Sequence, residues 1–247
     1  MPDWKVPAHV VAWCTTRTGG VSEGAYAGLN LADHVGDMAG RVERNRQWLR
    51  QAAALPAEPE WLKQTHSTRA IDLDHDRSRD GDAAFTATPG VVAVVMTADC
   101  LPVLLCNGQG SEVGAAHAGW RGLLDGVLEN TVAGMRSAAS ELYAWLGPAI
   151  GPGHFEVGQE VLDAFAQRTP GSEAHFRANR PGHYLADLYA IARLRLNNAG
   201  ITHISGGQYC TYRERERFFS YRRDQQTGRQ ASLIYIKKNR SPGIDIK

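Results

Sequence analysis

Cysteine is scarce in this chain: Cys14, Cys100, Cys106 and Cys210 are scattered, without CxxC spacing. That placement excludes a local chelate of the zinc-finger kind. With no visible export signal, the four read as thiols rather than a disulfide frame, and Cys106 and Cys210 as core residues. Charge of one sign is lacking as well, with 27 Lys and Arg against 26 Asp and Glu and a net charge of +1. That balance gives no reason to expect broad electrostatic binding of nucleic acid or anionic membrane. No apolar run is long enough to span a bilayer. The longest, around residues 91–106, is broken by Thr97, Asp99 and Pro102. The opening MPDWKVPAHV has no apolar signal-peptide core, so the expectation is a cytoplasmic protein. Repeats, low-complexity tracts and linkers are absent, and one domain over residues 1–247 is expected.

What is present suits a folded domain: 43% hydrophobic residues in 247 can build a stable core. A strand is expected over 8–16, closing in the Thr18-Gly19-Gly20 turn. The spacing of Val42, Trp48, Leu49 and Ala52 predicts a helix over 41–54. Short strands are expected over 60–66 and 69–73. The run VVAVVMTADCLPVLLCN reads as strands buried on both faces, and Pro102 makes it two strands or one interrupted strand. A further strand over EVGAAHAGW precedes a helix over 121–138, with Leu124, Val127, Leu128, Thr131 and Met135 on one face. Strands over 141–147, 201–206, 217–222 and 229–237 and helices over 158–168 and 183–199 complete the reading. Many strands and few helices indicate an α+β fold of layered mixed sheets with flanking helices.

Three residues carry the chemistry: His66 at a predicted strand end, Cys100 beside Pro102, and His117 between strand and helix. Separations of 34 and 17 residues require three strand ends to converge. Two imidazoles and a thiolate are good zinc ligands, and three protein ligands leave a fourth position open, as in catalytic sites. A buried cysteine is more often a small hydrophobe, and a strand-end histidine is usually a satisfied polar residue, so the residues alone leave both readings open.

The segments TRTGGVSEGAYAGLNLADHVGD, WLKQTHS, DGDAAFT, TADCLPVLL, GAAHAGWRGLLDGV, LGPAIGPGHFEVGQEV and FFSYRRDQQTGRQAS resemble the YfiH/laccase-domain family, in order, from about Arg17 to Ser232. The resemblance implies a zinc site with His66, Cys100 and His117 as ligands. It also implies a fold shared with a group of cysteine hydrolases, and either monomers or homodimers. Members carry the labels polyphenol oxidase, purine nucleoside phosphorylase and peptidoglycan editing factor.

Several neighbours of these motifs are candidate substrate contacts. Arg17, in a Gly-rich turn, could grip an anion or be a surface turn arginine. Arg121, at a helix start, suits a phosphate or packs across its own strand. Gln64 shares a predicted strand face with His66 and could meet a substrate amide. Asp99 is expected to point away from the metal, toward a supporting partner. His34 and His154 are further candidates, the 147–153 turn reads as a connecting loop, and YRRD (221–224) reads as exposed turn charge.

The activities make different demands. A laccase needs a trinuclear copper cluster, usually from His-x-His pairs, and no two of the nine histidines are two apart. Copper could still substitute for zinc at one site. The resemblance implies phosphorolysis of adenosine, inosine, guanosine or methylthioadenosine and deamination of adenosine. Zinc suits water attack at C6 of adenine, and Arg17 and Arg121 would orient phosphate. The alternative is an amidase removing L-Ser from UDP-MurNAc-L-Ser, with activated water or Cys100 as nucleophile and His117 as base.

Overall fold

The computed structural model describes residue 2 and residues 4–238. The single-domain expectation over 1–247 therefore extends beyond the described residues at both ends. Twelve strands are named among them: β1 (Val10–Cys14), β2 (Ala70–Asp72), β3 (Ala83–Thr86), β4 (Val92–Thr97), β5 (Leu101–Asn107), β6 (Val113–Ala118), β7 (Leu142–Leu146), β8 (Glu156–Gly158), β9 (Phe176–Arg180), β10 (His183–Ala186), β11 (His203–Gly206) and β12 (Gln230–Ile236). The helices are α1 (Ala39–Ala52), α2 (Trp120–Asp125), α3 (Val127–Gly134), α4 (Gln159–Arg168), α5 (Leu188–Asn198) and the single turn α6 (Tyr221–Asp224).

A mixed six-stranded sheet runs in the order β11-β7-β5-β6-β3-β2, beside three-stranded sheets β1-β12-β4 and β8-β10-β9. Side-chain alternation along β5 shows how the layers stack. Val103 and Leu105 join the core that includes α2, α3, α4 and α5, whereas Leu104 and Cys106 join the core shared with the β1-β12-β4 sheet. Along β4, Ala93 and Val95 enter that second core, while Val92, Val94 and Met96 meet Leu49 of α1. Every residue of β4 and β5 is buried because both faces of each strand are covered. The α+β expectation of layered mixed sheets holds.

Several boundaries differ from those expected. Residues 60–66 form no named strand, only isolated bridges at Glu60 and Lys63. The helix expected over 121–138 is two helices, because Gly126 takes φ 105° between them. The expected 183–199 helix starts at Leu188, where Asp187 caps it by accepting from the Ala190 N–H; residues 183–186 are strand. Residues 217–222 form no strand, and YRRD folds as α6 behind the Ser220 cap. The run over 91–107 is two strands, one of the two readings it allows, but the break falls at residues 98–100 and Pro102 lies within β5. Among the described residues no helix is long and apolar enough to cross a membrane.

Candidate metal centre

Three connections meet at one end of the six-stranded sheet. Cys100 sits in the turn where the chain leaves β4 of the small sheet and enters β5 of the large one. His117, near the end of β6, pairs with Pro102 of β5. His66 lies in the loop before β2, which runs parallel to β3.

The turn at Cys100 needs Asp99 in the left-handed region, at φ 86°, where a non-glycine residue must be held by its surroundings. Its carboxylate accepts from Thr211 Oγ1 (2.6 Å) and from the Arg222 N–H (2.6 Å), and its carbonyl from the Ile150 N–H (2.9 Å). Those contacts point the Asp99 side chain at supporting partners, as expected.

His66 is held in the left-handed region as well, at φ 62°, and one buried carboxylate holds it there. Asp82, fully enclosed just before β3, accepts the His66 N–H on Oδ1 (3.0 Å). Its Oδ2 accepts the N–H groups of Thr65 (3.1 Å) and Ser67 (2.6 Å) and the Ser67 hydroxyl (2.7 Å). Oδ1 also receives the Nδ1–H of His117 at 2.8 Å. The carboxylate sets the tautomer, leaving Nε2 as the ligand atom. Asp82 thus orients two of the three candidate ligands. Its sequence signal is a carboxylate in DGDAAFT entering an otherwise apolar strand, and no motif-based reading singles it out.

The ligand atoms of His66, Cys100 and His117 all lie within 4.8 Å of one another. The Cys100 sulfur stands 3.8 Å from His66 Nε2, and the two imidazoles cross edge to face at 4.9 Å. Ligands of a tetrahedral zinc stand roughly 3.5 Å apart, so the donors and their spacing fit such an ion. The electrostatics agree. Burial raises the Cys100 thiol, but the His117 charge and hydrogen bonds from both histidines outweigh it and bring the thiol down to about 6. Burial lowers His117, but Cys100 and Asp82 outweigh that and raise it to about 9. The thiolate, the form that binds metal, therefore dominates at neutral pH.

The three residues line a cavity of about 520 Å³. Trp120, Phe155 and Tyr221 give it aromatic wall, and Arg121, Arg222 and Arg229 give it positive charge. Of the expected contacts, Arg121 and His34 line it. Gln64 lines it too, yet both ends of its amide are engaged by the Met96 backbone, each at 2.8 Å. Arg17 is not among the lining residues. Its guanidinium lies over Phe219 and donates to the carbonyls of Arg215 and Ala27, so it ties loops together outside the cavity lining. His154 stacks on Tyr212 and meets the buried Cys210 sulfur at 3.6 Å. Cys106 and Cys210 are buried, as expected. The YRRD charges are not simply exposed turn: Tyr221 and Arg222 face the cavity, and Arg223 donates inward to the carbonyls of Thr211, Tyr212 and Phe218. Tyr221, Arg222 and Arg229 were not expected at the site, because nothing local brings the 221–229 segment next to β4.

Comparison with known proteins agrees with this architecture. A Haemophilus influenzae protein named purine nucleoside phosphorylase is 50% identical over 239 residues, covering 96% of this chain and 98% of its own length. The Escherichia coli protein named purine nucleoside phosphorylase YfiH is 50% identical over 238 residues, with the same coverage. The crystal structure of a Neisseria meningitidis protein superposes with a TM-score of 0.91 at 49% identity, covering 96% of this chain and 98% of that one. That of YlmD from Geobacillus stearothermophilus gives 0.88 at 34%, covering 94% and 93%. With residues 11–237 matching, the chain belongs to the family described as multi-copper polyphenol oxidoreductase laccase.

Proposed function

We propose that this protein is a zinc-dependent purine nucleoside enzyme. It would cleave adenosine, inosine, guanosine or methylthioadenosine with phosphate and also deaminate adenosine. The observation that supports this most is one cavity joining the His66, Cys100 and His117 group to arginine and aromatic wall. The relatives named purine nucleoside phosphorylase support it further. Zinc held by these three side chains would supply Lewis acidity at an open fourth position. The chain's own residues would do the rest. Asp82 keeps the His117 proton on Nδ1 and Nε2 toward the cavity. Arg121, in the cavity wall over the Trp120 ring, would neutralise and orient phosphate, and the aromatic surfaces would pack a purine.

Copper could occupy the same donors, whose affinity for it exceeds that for zinc. Among the described residues this is the single group of three such side chains close enough to share an ion. A trinuclear oxidase cluster has no ligands there. Incubating metal-quantified protein with adenosine, with and without phosphate, tests the proposal. Ribose 1-phosphate formed only with phosphate supports phosphorolysis, and inosine formed without it supports deamination. Absence of both products would overturn the reading.

A second reading has its own observation. Asp82, His117 and Cys100 follow one another as carboxylate, imidazole and thiol, the order of a cysteine hydrolase triad. Amidase action on UDP-MurNAc-L-Ser would use Cys100 as nucleophile only without metal. Serine released by chelator-treated protein, and not by zinc-loaded protein, would favour it.

A further inference from the structure

Arg229 differs from the other arginines around it. It lines the cavity and is only partly open to solvent. Among the described ion pairs none involves it, whereas Arg195 meets Glu129 and Arg223 meets Asp224. Its Nη1 donates to the carbonyls of Thr227 (2.9 Å) and Gly228 (3.0 Å), and its Cζ lies 5.9 Å over the Tyr221 ring. These contacts fix the arm while Nε and Nη2 stay unengaged among the described residues. Burial lowers the guanidinium, and the charges of Cys100 and Asp99 oppose that, which places Arg229 within electrostatic reach of the metal group.

Thr97 adds a second, independent observation. It ends β4 opposite Gln230, the residue after Arg229, and lines the same cavity. It is 1% exposed, and its hydroxyl has no hydrogen-bond partner. Buried hydroxyls are nearly always paired, so this one lacks the partner that its burial calls for. A fixed, partly desolvated guanidinium with a free edge suits two oxygens of an oxyanion at once.

We propose that Arg229 and Thr97 form, together with Arg121, the orthophosphate subsite of the cavity, with Nε and Nη2 of Arg229 taking two phosphate oxygens and Thr97 Oγ1 a third. The subsite rests on the phosphorolysis reading for its role, although its existence can be measured separately.

The test uses zinc-loaded protein, comparing wild type with R229K, R229Q and T97V. Orthophosphate binding is read by calorimetry, and KM is read for phosphate and for adenosine. R229Q is expected to raise both the phosphate Kd and the phosphate KM at least about tenfold. R229K should raise them less, because lysine keeps the charge without the fork, and T97V, isosteric and without polar burial, about threefold. Zinc content and the KM for adenosine should stay near wild type. Wild-type phosphate binding in both R229Q and T97V would overturn the subsite, and so would failure of the parent protein to bind phosphate. If the parent binds phosphate but forms no ribose 1-phosphate, the phosphorolysis reading fails. Loss of binding in R229Q would then still support the subsite.

Discussion

Replacing Asp82 with Asn keeps shape and volume while removing one acceptor oxygen. Oδ1 serves His66 and His117, and Oδ2 serves Thr65 and Ser67. With its oxygen toward His66 and His117, the amide sets its NH2 against two backbone N–H groups. A buried donor left without an acceptor costs about 1–3 kcal/mol. Residues 65 and 67 are not fully buried, so water offsets part of this, and a total of about 2 kcal/mol is expected for the pair. Turned the other way, the amide leaves His117 without its acceptor and His66 without its anchor. Losing such a partner weakens metal binding about 10- to 100-fold, which is roughly 1.4–2.8 kcal/mol. Acid adds a signature. Burial alone would raise the Asp82 carboxyl, but hydrogen bonds from His117 and Ser67 outweigh it and hold it at about 2, below its ordinary 3.8. A carboxyl depressed in the folded state stabilises above its unfolded pKa, and that stability is lost as pH falls through the folded value. Metal-free wild type should therefore lose stability as pH falls from about 4 to about 2, and the Asn variant should show a shallower slope there, because Asp74 and Glu156 are held low as well. Zinc competition against a chromophoric chelator and urea melts at stepped pH provide the readings. Wild-type zinc affinity together with an unchanged acid slope would refute the role given to Asp82.

Gly119→Ala should expel the metal without unfolding the protein. Its Cβ would lie 2.8 Å from the Cys100 sulfur and 2.9 Å from His66 Cδ2, while φ −63° suits alanine; metal content and chelator-treated melts check it. In metal-free protein, iodoacetamide should modify Cys100 with a midpoint near pH 6, read by mass spectrometry of the labelled peptide. Burial pushes Cys106 up to about 12 and Cys14 up to about 11, so both should stay unlabelled at neutral pH. Zinc affinity should fall as pH drops below about 9 and more steeply below about 6, because protons compete first for His117 and then also for the Cys100 thiolate; chelator competition at stepped pH tests this. Gly126→Ala should lower stability by about 1–2 kcal/mol, the cost of a side chain in the left-handed region, seen as a lower urea midpoint.

The fold class and the most buried strands are legible in the sequence, because a run such as VVAVVM can be hydrated on neither face. The separations that isolate His66, Cys100 and His117 are legible too, and with the family motifs they nominate a metal site. Local patterns do less well wherever a backbone decision depends on distant partners. Residues 60–66 read as strand but form a loop, since Asp82 collects the successive N–H groups of residues 65–67 at its end. Gly126 splits a helix whose apolar face runs unbroken through the sequence. Arg17 sits in a motif that suggests anion binding, yet it lies over Phe219, while Arg229, which nothing within its FFSYRRDQQTGRQAS segment singles out, faces the cavity. Composition and periodicity determine which faces must be buried. Only the pairing of β12 with β4, and of β3 and β5 with β6, decides which polar side chains share that enclosed space, because strand register brings residues more than a hundred positions apart into hydrogen-bonding reach.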